Sequence, residues 1–140
     1  MEHVIEFAGR HWMLCLALVA VAILIALNEW RAKRARTHEI TTTAAIDLLN
    51  HQDAIVLDLR EPELFRAGHI VNATRANTDE ITPERFGKYR QKSVILVCAR
   101  GMQSSALAHT LRTSGFESVF ALAGGMQAWQ TASLPLVKGK

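Results

Sequence analysis

This sequence has little with which to staple or interrupt itself: of its 140 residues only two are cysteine and three are proline. The cysteines, Cys15 and Cys98, fall in segments that a membrane boundary is expected to separate, so a disulfide framework is excluded and a reducing compartment fits. No Cys/His cluster has zinc-site spacing and the six histidines are scattered, so no metal is expected. A strong charge of one sign is also missing, since from residue 37 onward 11 Lys and Arg face 10 Asp and Glu. A nucleic-acid surface needs a basic face on the domain itself, and this near-neutral stretch argues against such a partner. The basic excess is concentrated instead at Arg31, Lys33, Arg34 and Arg36.

Proline, glycine and charge are all absent from residues 12–27, WMLCLALVAVAILIAL. As a helix these residues cover roughly 24 Å, and flanking residues up to Trp30 extend them toward the ~30 Å of a hydrocarbon core. Trp12 and Trp30 suit the two headgroup levels and Arg10 can snorkel, so residues 12–30 are expected to cross the lipid bilayer. A core helix would show a polar side, and this run shows none. A cleavable signal would lead with positive charge, whereas Glu2 and Glu6 precede the run. Four basic residues follow it and only Arg10 precedes it, which predicts a short extracytoplasmic segment 1–11, a basic juxtamembrane linker 31–37 and a cytoplasmic domain 38–140. Lipid phosphates near that linker account for the basic cluster. The run has no GxxxG, so close helix–helix dimerisation is not indicated.

Beyond the linker, strands and helices alternate. Threonines at 41–43 can cap a short helix with Ala45, Leu48 and Leu49 on one face. Residues 54–57 read as a buried strand ending at Asp58; Pro62 opens a short helix to Ala67, closed by Gly68. Pro83 is expected to open another helix after Thr82. Residues 94–97 form a second buried strand, 104–114 an amphipathic helix, 119–122 a further strand, and 126–131 a last helix after Gly124-Gly125. The fold class expected is α/β, a mainly parallel central sheet with helices on both faces, preceded by one transmembrane helix. Sites in such sheets form at the carboxyl ends of strands, which is where Cys98 stands.

Four stretches then fall in a recognisable order. Asp58-Leu59-Arg60-Glu61-Pro62-Glu63-Leu64-Phe65 with Gly68-His69-Ile70, the strand and Cys-x-x-Gly loop of residues 94–101, Gly115-Phe116-Glu117-Ser118-Val119, and Leu122-Ala123-Gly124-Gly125 through Trp129 together resemble the rhodanese-like domain family over nearly all of residues 38–137. Phe7-Ala8-Gly9-Arg10-His11, Gly101-Met102-Gln103 and the tail from Leu134 to Lys140 resemble a narrower bacterial branch with a single domain tethered to the inner membrane.

A loop wrapping back on Cys98 can aim successive N–H groups and a helix N-terminus at the sulfur, favouring a thiolate or an anionic persulfide. The resemblance implies a sulfurtransferase. Its catalytic nucleophile would be Cys98, and Ala99, Arg100, Gly101, Met102, Gln103 and Ser104 would form the loop that binds the anionic substrate. It would take sulfane sulfur from a donor, thiosulfate or a persulfide, and pass it to a thiophilic acceptor without a cofactor. Asp58, Arg60 and His69 would support the site, more simply by holding the domain's geometry than by touching substrate. Many single-domain relatives carry Arg where Gln103 stands, which leaves Arg100 to attract an anionic donor. A phosphatase would need a longer loop with a phosphate-clamping Arg, and Ser104 occupies that place. Two other readings stay open: a non-catalytic binding module for a membrane-protein partner, and a thiol redox sensor. The sequence leaves the oligomeric state open.

Overall fold

The computed structural model describes Phe7, residues 10–36 and residues 38–140. Most of the expected extracytoplasmic segment lies outside the described residues, as do Thr37 and the side chains of Arg34 and Arg36. The chain divides into two compact units, residues 1–34 and 35–140.

Helix α1 runs over Trp12–Arg36, and the first unit holds all but its last two residues. Its stretch Trp12–Arg31 is long and apolar enough to cross a membrane, and none of it is buried. Leu14, Leu18, Leu24 and Ile25 are each more than half exposed, so this helix has no protein core to serve. Instead of ending where the apolar run ends, it carries the basic cluster on its last turns.

The second unit is an α/β layer structure. Its elements run β1 (Glu39–Ile40), α2 (Thr42–His51), β2 (Ile55–Asp58), α3 (Pro62–Ala67), β3 (Thr74–Arg75), β4 (Val94–Val97), α4 (Met102–Thr113), β5 (Val119–Leu122) and α5 (Gly125–Thr131). The five strands form one sheet in the order β1-β5-β4-β2-β3, and every pairing is parallel. Parallel strands covered on both faces need continuous apolar runs rather than alternation, and Val94, Ile95, Leu96 and Val97 are all 2% exposed or less. Alternation survives as a choice of face. Val94, Leu96 and Cys98 pack with Ala108 and Leu111 of α4, while Ile95 and Val97 pack with Ala45 of α2 and with Met126 and Trp129 of α5.

The local signals act as expected at most element ends. Thr41 caps α2, its Oγ1 accepting from the Ala44 N–H at 3.2 Å, and Pro62 opens α3. The helix expected after Pro83 does not form. Phe86 N–H reaches back to the Thr82 carbonyl for a single turn, and the chain tightens into a 3-10 helix at Gly87–Tyr89. Gly87 disfavours a longer helix, and the tighter winding brings Phe86 and Tyr89, three apart, onto one face against the core. The short strands β1 and β3 were not anticipated either, since two residues carry no readable period.

Candidate active site

Strand order reverses between β2 and β4, because β2 is followed in space by β3 on one side and β4 by β5 on the other. At such a switch point the loops leaving the carboxyl ends diverge and open a crevice. Asp58 and Val97 are paired at that edge, so residues 59–61 and 98–104 form its two lips.

Cys98 continues the direction of Val94 and Leu96 into the α4 layer and is 3% exposed. The Gly101 N–H donates to its Sγ at 3.0 Å, and the Ser104 Oγ lies 3.4 Å from it. The Ser104 Oγ also lies 3.1 Å from the Gly101 carbonyl, and its single proton goes either to that oxygen or to the sulfur, turning to Sγ when the thiolate forms. Burial pushes the Cys98 thiol upward, but hydrogen bonds from the Ser104 side chain and from the backbone N–H groups of Ser104, Gly101 and Arg100 outweigh it, leaving the thiol below its ordinary range. The start of α4 at Met102 adds the positive end of a helix dipole. The loop is thus a cradle for a charged sulfur, with Gly101 and Ser104 buried and Ala99, Arg100, Met102 and Gln103 exposed around it.

The cradle is held from below by α5. The Met126 N–H donates to the Cys98 carbonyl at 2.9 Å and the Gln127 N–H to the Ala99 carbonyl at 3.1 Å, so first-turn donors of α5 are spent on the loop. This close approach explains Gly124-Gly125. A Cβ on Gly125 would overlap the Cys98 carbonyl oxygen and lie 2.8 Å from Ala99 C and Arg100 N, and its φ of +57° already favours glycine. The sequence shows a glycine pair ahead of the last helix; only the structure shows that Gly125 seats the Cys98 loop.

Asp58 and Arg60 are a buried pair that fixes the other lip. Arg60 Nη2 donates to Asp58 Oδ2 at 2.7 Å and to the Gly68 carbonyl at 2.8 Å, and Arg60 Nε donates to Asp58 Oδ1 at 2.9 Å. With backbone and side-chain donors on one carboxylate, both charges are satisfied where they are buried. Arg60 also borders a cleft of about 260 Å³ beside Ala99 and Arg100. His69 is committed elsewhere: its Nδ1–H donates to the Phe65 carbonyl at 2.8 Å, its ring stacks on Phe65, and its backbone bridges to Val137. Among the described residues no group of three or more His, Cys, Asp or Glu side chains could hold a metal ion.

The site is thus a parallel α/β sheet whose switch-point loop folds N–H groups around a buried thiol. Residues 41–132 match the family model described as the rhodanese-like domain, and the chain belongs to that family. It is 35% identical to YibN of Escherichia coli K12, with all of both chains covered. It is 32% identical to the thiosulfate sulfurtransferase GlpE of Pseudoalteromonas translucida over 66% of this chain and 89% of that one. A rhodanese-related protein from Thermoplasma volcanium superposes with a TM-score of 0.61 at 26% identity, covering 71% of this chain and 97% of that one.

Proposed function

We propose that this protein is a sulfurtransferase anchored in the bacterial inner membrane by α1, with Cys98 carrying sulfane sulfur as a persulfide. The observation that carries this reading is the cradle: a buried thiol with the Gly101 N–H at 3.0 Å, the Ser104 hydroxyl at 3.4 Å and its pKa lowered. The Cys98 thiolate attacks the outer sulfur of a donor. With thiosulfate, the S–S bond breaks, sulfite leaves with the bonding pair, and Cys98 becomes Cys–S–S⁻. The same N–H groups that hold the thiolate hold the charged persulfide. A thiophilic acceptor then takes the outer sulfur and regenerates the thiolate. Asp58, Arg60 and His69 act as positioning residues, and Arg100 draws an anionic donor to the loop. No cofactor enters this cycle.

The similarity to a thiosulfate sulfurtransferase supports the transfer reading, and the apolar stretch Trp12–Arg31 supports the tether. Residues 31–36 carry four basic side chains, which favours a cytoplasmic domain and an N-terminus outside.

The full-length protein in detergent, incubated with thiosulfate or glutathione persulfide, should gain the mass of one sulfur, lose it to cyanide, and fail to gain it as Cys98→Ser. No adduct with any donor would leave the non-catalytic binding module as the reading. In intact spheroplasts, added protease should spare the domain; its digestion would reverse the orientation.

A further inference from the structure

Charge is sorted between the two edges of the sheet. At the β3 edge, Asp79 and Glu80 on the 3-10 turn Thr78–Glu80 outnumber Arg75. At the β1 edge, a cleft of about 540 Å³ is bordered by His38, His109, Arg112, Phe116 and Glu117. The imidazoles of His38 and His109 stack there with centroids 6.4 Å apart. Arg112 is built in, its Nε donating to the Val119 carbonyl at 2.8 Å and its guanidinium lying 5.0 Å from the Phe120 ring centroid, yet it forms no ion pair among the described residues. Arg90 adds a second guanidinium, 5.7 Å from the centroid of the Phe116 ring. One carboxylate, Glu117, shares this lining, while Glu39 next to His38 accepts the Ser105 hydroxyl. His38 is held below its ordinary range by burial first, then by Arg112 and His109, so positive neighbours there repel a further proton. An anion in the cleft relieves that repulsion. The nearest supply is set by the chain: His38 follows Arg31, the end of the apolar stretch, by seven residues, at most ~25 Å by any path.

We infer that this cleft docks the domain on anionic lipid, with a headgroup phosphate between His38, His109 and Arg112, and that docking turns the Cys98 loop away from the bilayer. This rests on the reading of α1 as a membrane anchor with a cytoplasmic domain. The anchor keeps the cleft at a high local concentration of lipid phosphate, and an anionic surface attracts the β1 edge while it repels the acidic β3 edge. The direction of Cys98 follows from the course of the chain. Cys98 leaves the carboxyl edge of the sheet, and α4 runs back from its loop for 12 residues, ~18 Å, to Thr113 in the wall of the cleft. The surface that takes lipid and the loop that takes sulfur thus lie at opposite ends of one helix. Donor and acceptor reach Cys98 from the aqueous side. Because the phosphate favours the imidazolium of His38, docking strengthens as pH falls.

The test uses full-length protein in nanodiscs of phosphatidylcholine alone or mixed equally with phosphatidylglycerol, each made with and without a lipid whose headgroup is spin-labelled. NMR follows the His38 imidazole in the cleft and the methyl of Met102, exposed on the Cys98 loop. In anionic discs the His38 signal should be lost to the spin label while the Met102 signal persists, and without the label the His38 protonation midpoint should rise. In neutral discs, or as salt is added, the His38 signal should recover. His109→Glu, at an exposed position, reverses the charge beside His38 and should restore its signal in anionic discs. Loss of both signals alike, loss of Met102 alone, or a His38 signal indifferent to lipid charge and to His109→Glu overturns the docking inference and leaves the anchor standing. If inorganic phosphate raises the His38 midpoint as far in neutral discs, the cleft takes a soluble anion and lipid docking is overturned. Wild-type protein that does not stay with the discs overturns the anchor and the docking inference together.

Discussion

Cys15 lies on a helix whose large apolar side chains are exposed along its length, whereas Cys98 ends a strand whose residues are all buried. The same side chain has two fates because the two regions use their apolar residues differently. In α1 they face outward, and the N–H of Cys15 is spent within the helix, on the His11 carbonyl at 3.1 Å. In the domain the apolar residues are drawn into two layers about a sheet, and the loop that must leave the strand brings N–H groups with no helical partner to the sulfur. The lowered pKa of Cys98 therefore comes from the end of an element, not from its interior.

The largest test of this contrast is Gly125→Ala. The added Cβ meets backbone on both sides of the loop, at a position already at positive φ, and none of those atoms belongs to a flexible side chain. A loss of about 4 kcal/mol is expected, read as the urea midpoint of the domain transition in the full-length protein. A loss below about 1 kcal/mol would mean that the loop does not need its seat on α5.

A smaller effect should follow a charge placed in α1. Leu18→Arg puts a cation near the middle of the apolar stretch, at a cost of about 3 kcal/mol for insertion. The variant should shift from the membrane pellet toward the soluble fraction. If it pellets unchanged and the wild type is released by carbonate, α1 is not an anchor.

The mildest change is Ser104→Ala. It removes the hydroxyl that leads the causes holding the Cys98 thiol down, so the midpoint of the pH profile for alkylation should rise. The sign for stability follows from the depressed folded value. The thiolate's contribution is complete above the unfolded thiol's titration near pH ~8.5 and is lost as pH falls through the lower folded value. Wild type should therefore gain more stability than Ser104→Ala as pH rises through that window. A profile that does not move would take Ser104 out of the cradle.

Much of this arrangement was legible before the structure. The apolar runs at 12–27, 54–57 and 94–97 announced a long apolar helix and two buried strands, Thr41 and Pro62 announced helix starts, and the cysteine's place after a strand announced a thiol at the carboxyl edge of the sheet. Three things were not legible. Pro83 carried a helix-start signal that Gly87 and the packing of Phe86 and Tyr89 turned into a tighter winding. The linked side chains of Arg75, Asn77 and Glu80 come from a two-residue strand and the single 3-10 turn after it, neither long enough to show a period. The role of Gly125 depends on contacts with residues far back in the chain.

Taken alone, the sequence determined where the chain could leave water, which segments would be strands and helices, and which thiol would stand at a strand end. These are local properties, written in the length and period of apolar runs and in the residues that cap them. Only the tertiary structure decided that α5 would hold the loop and that Asp58 and Arg60 would form the opposite lip. Those outcomes depend on strand order and on N–H groups and side chains meeting across the sheet, and no local pattern records which partners a fold will bring together.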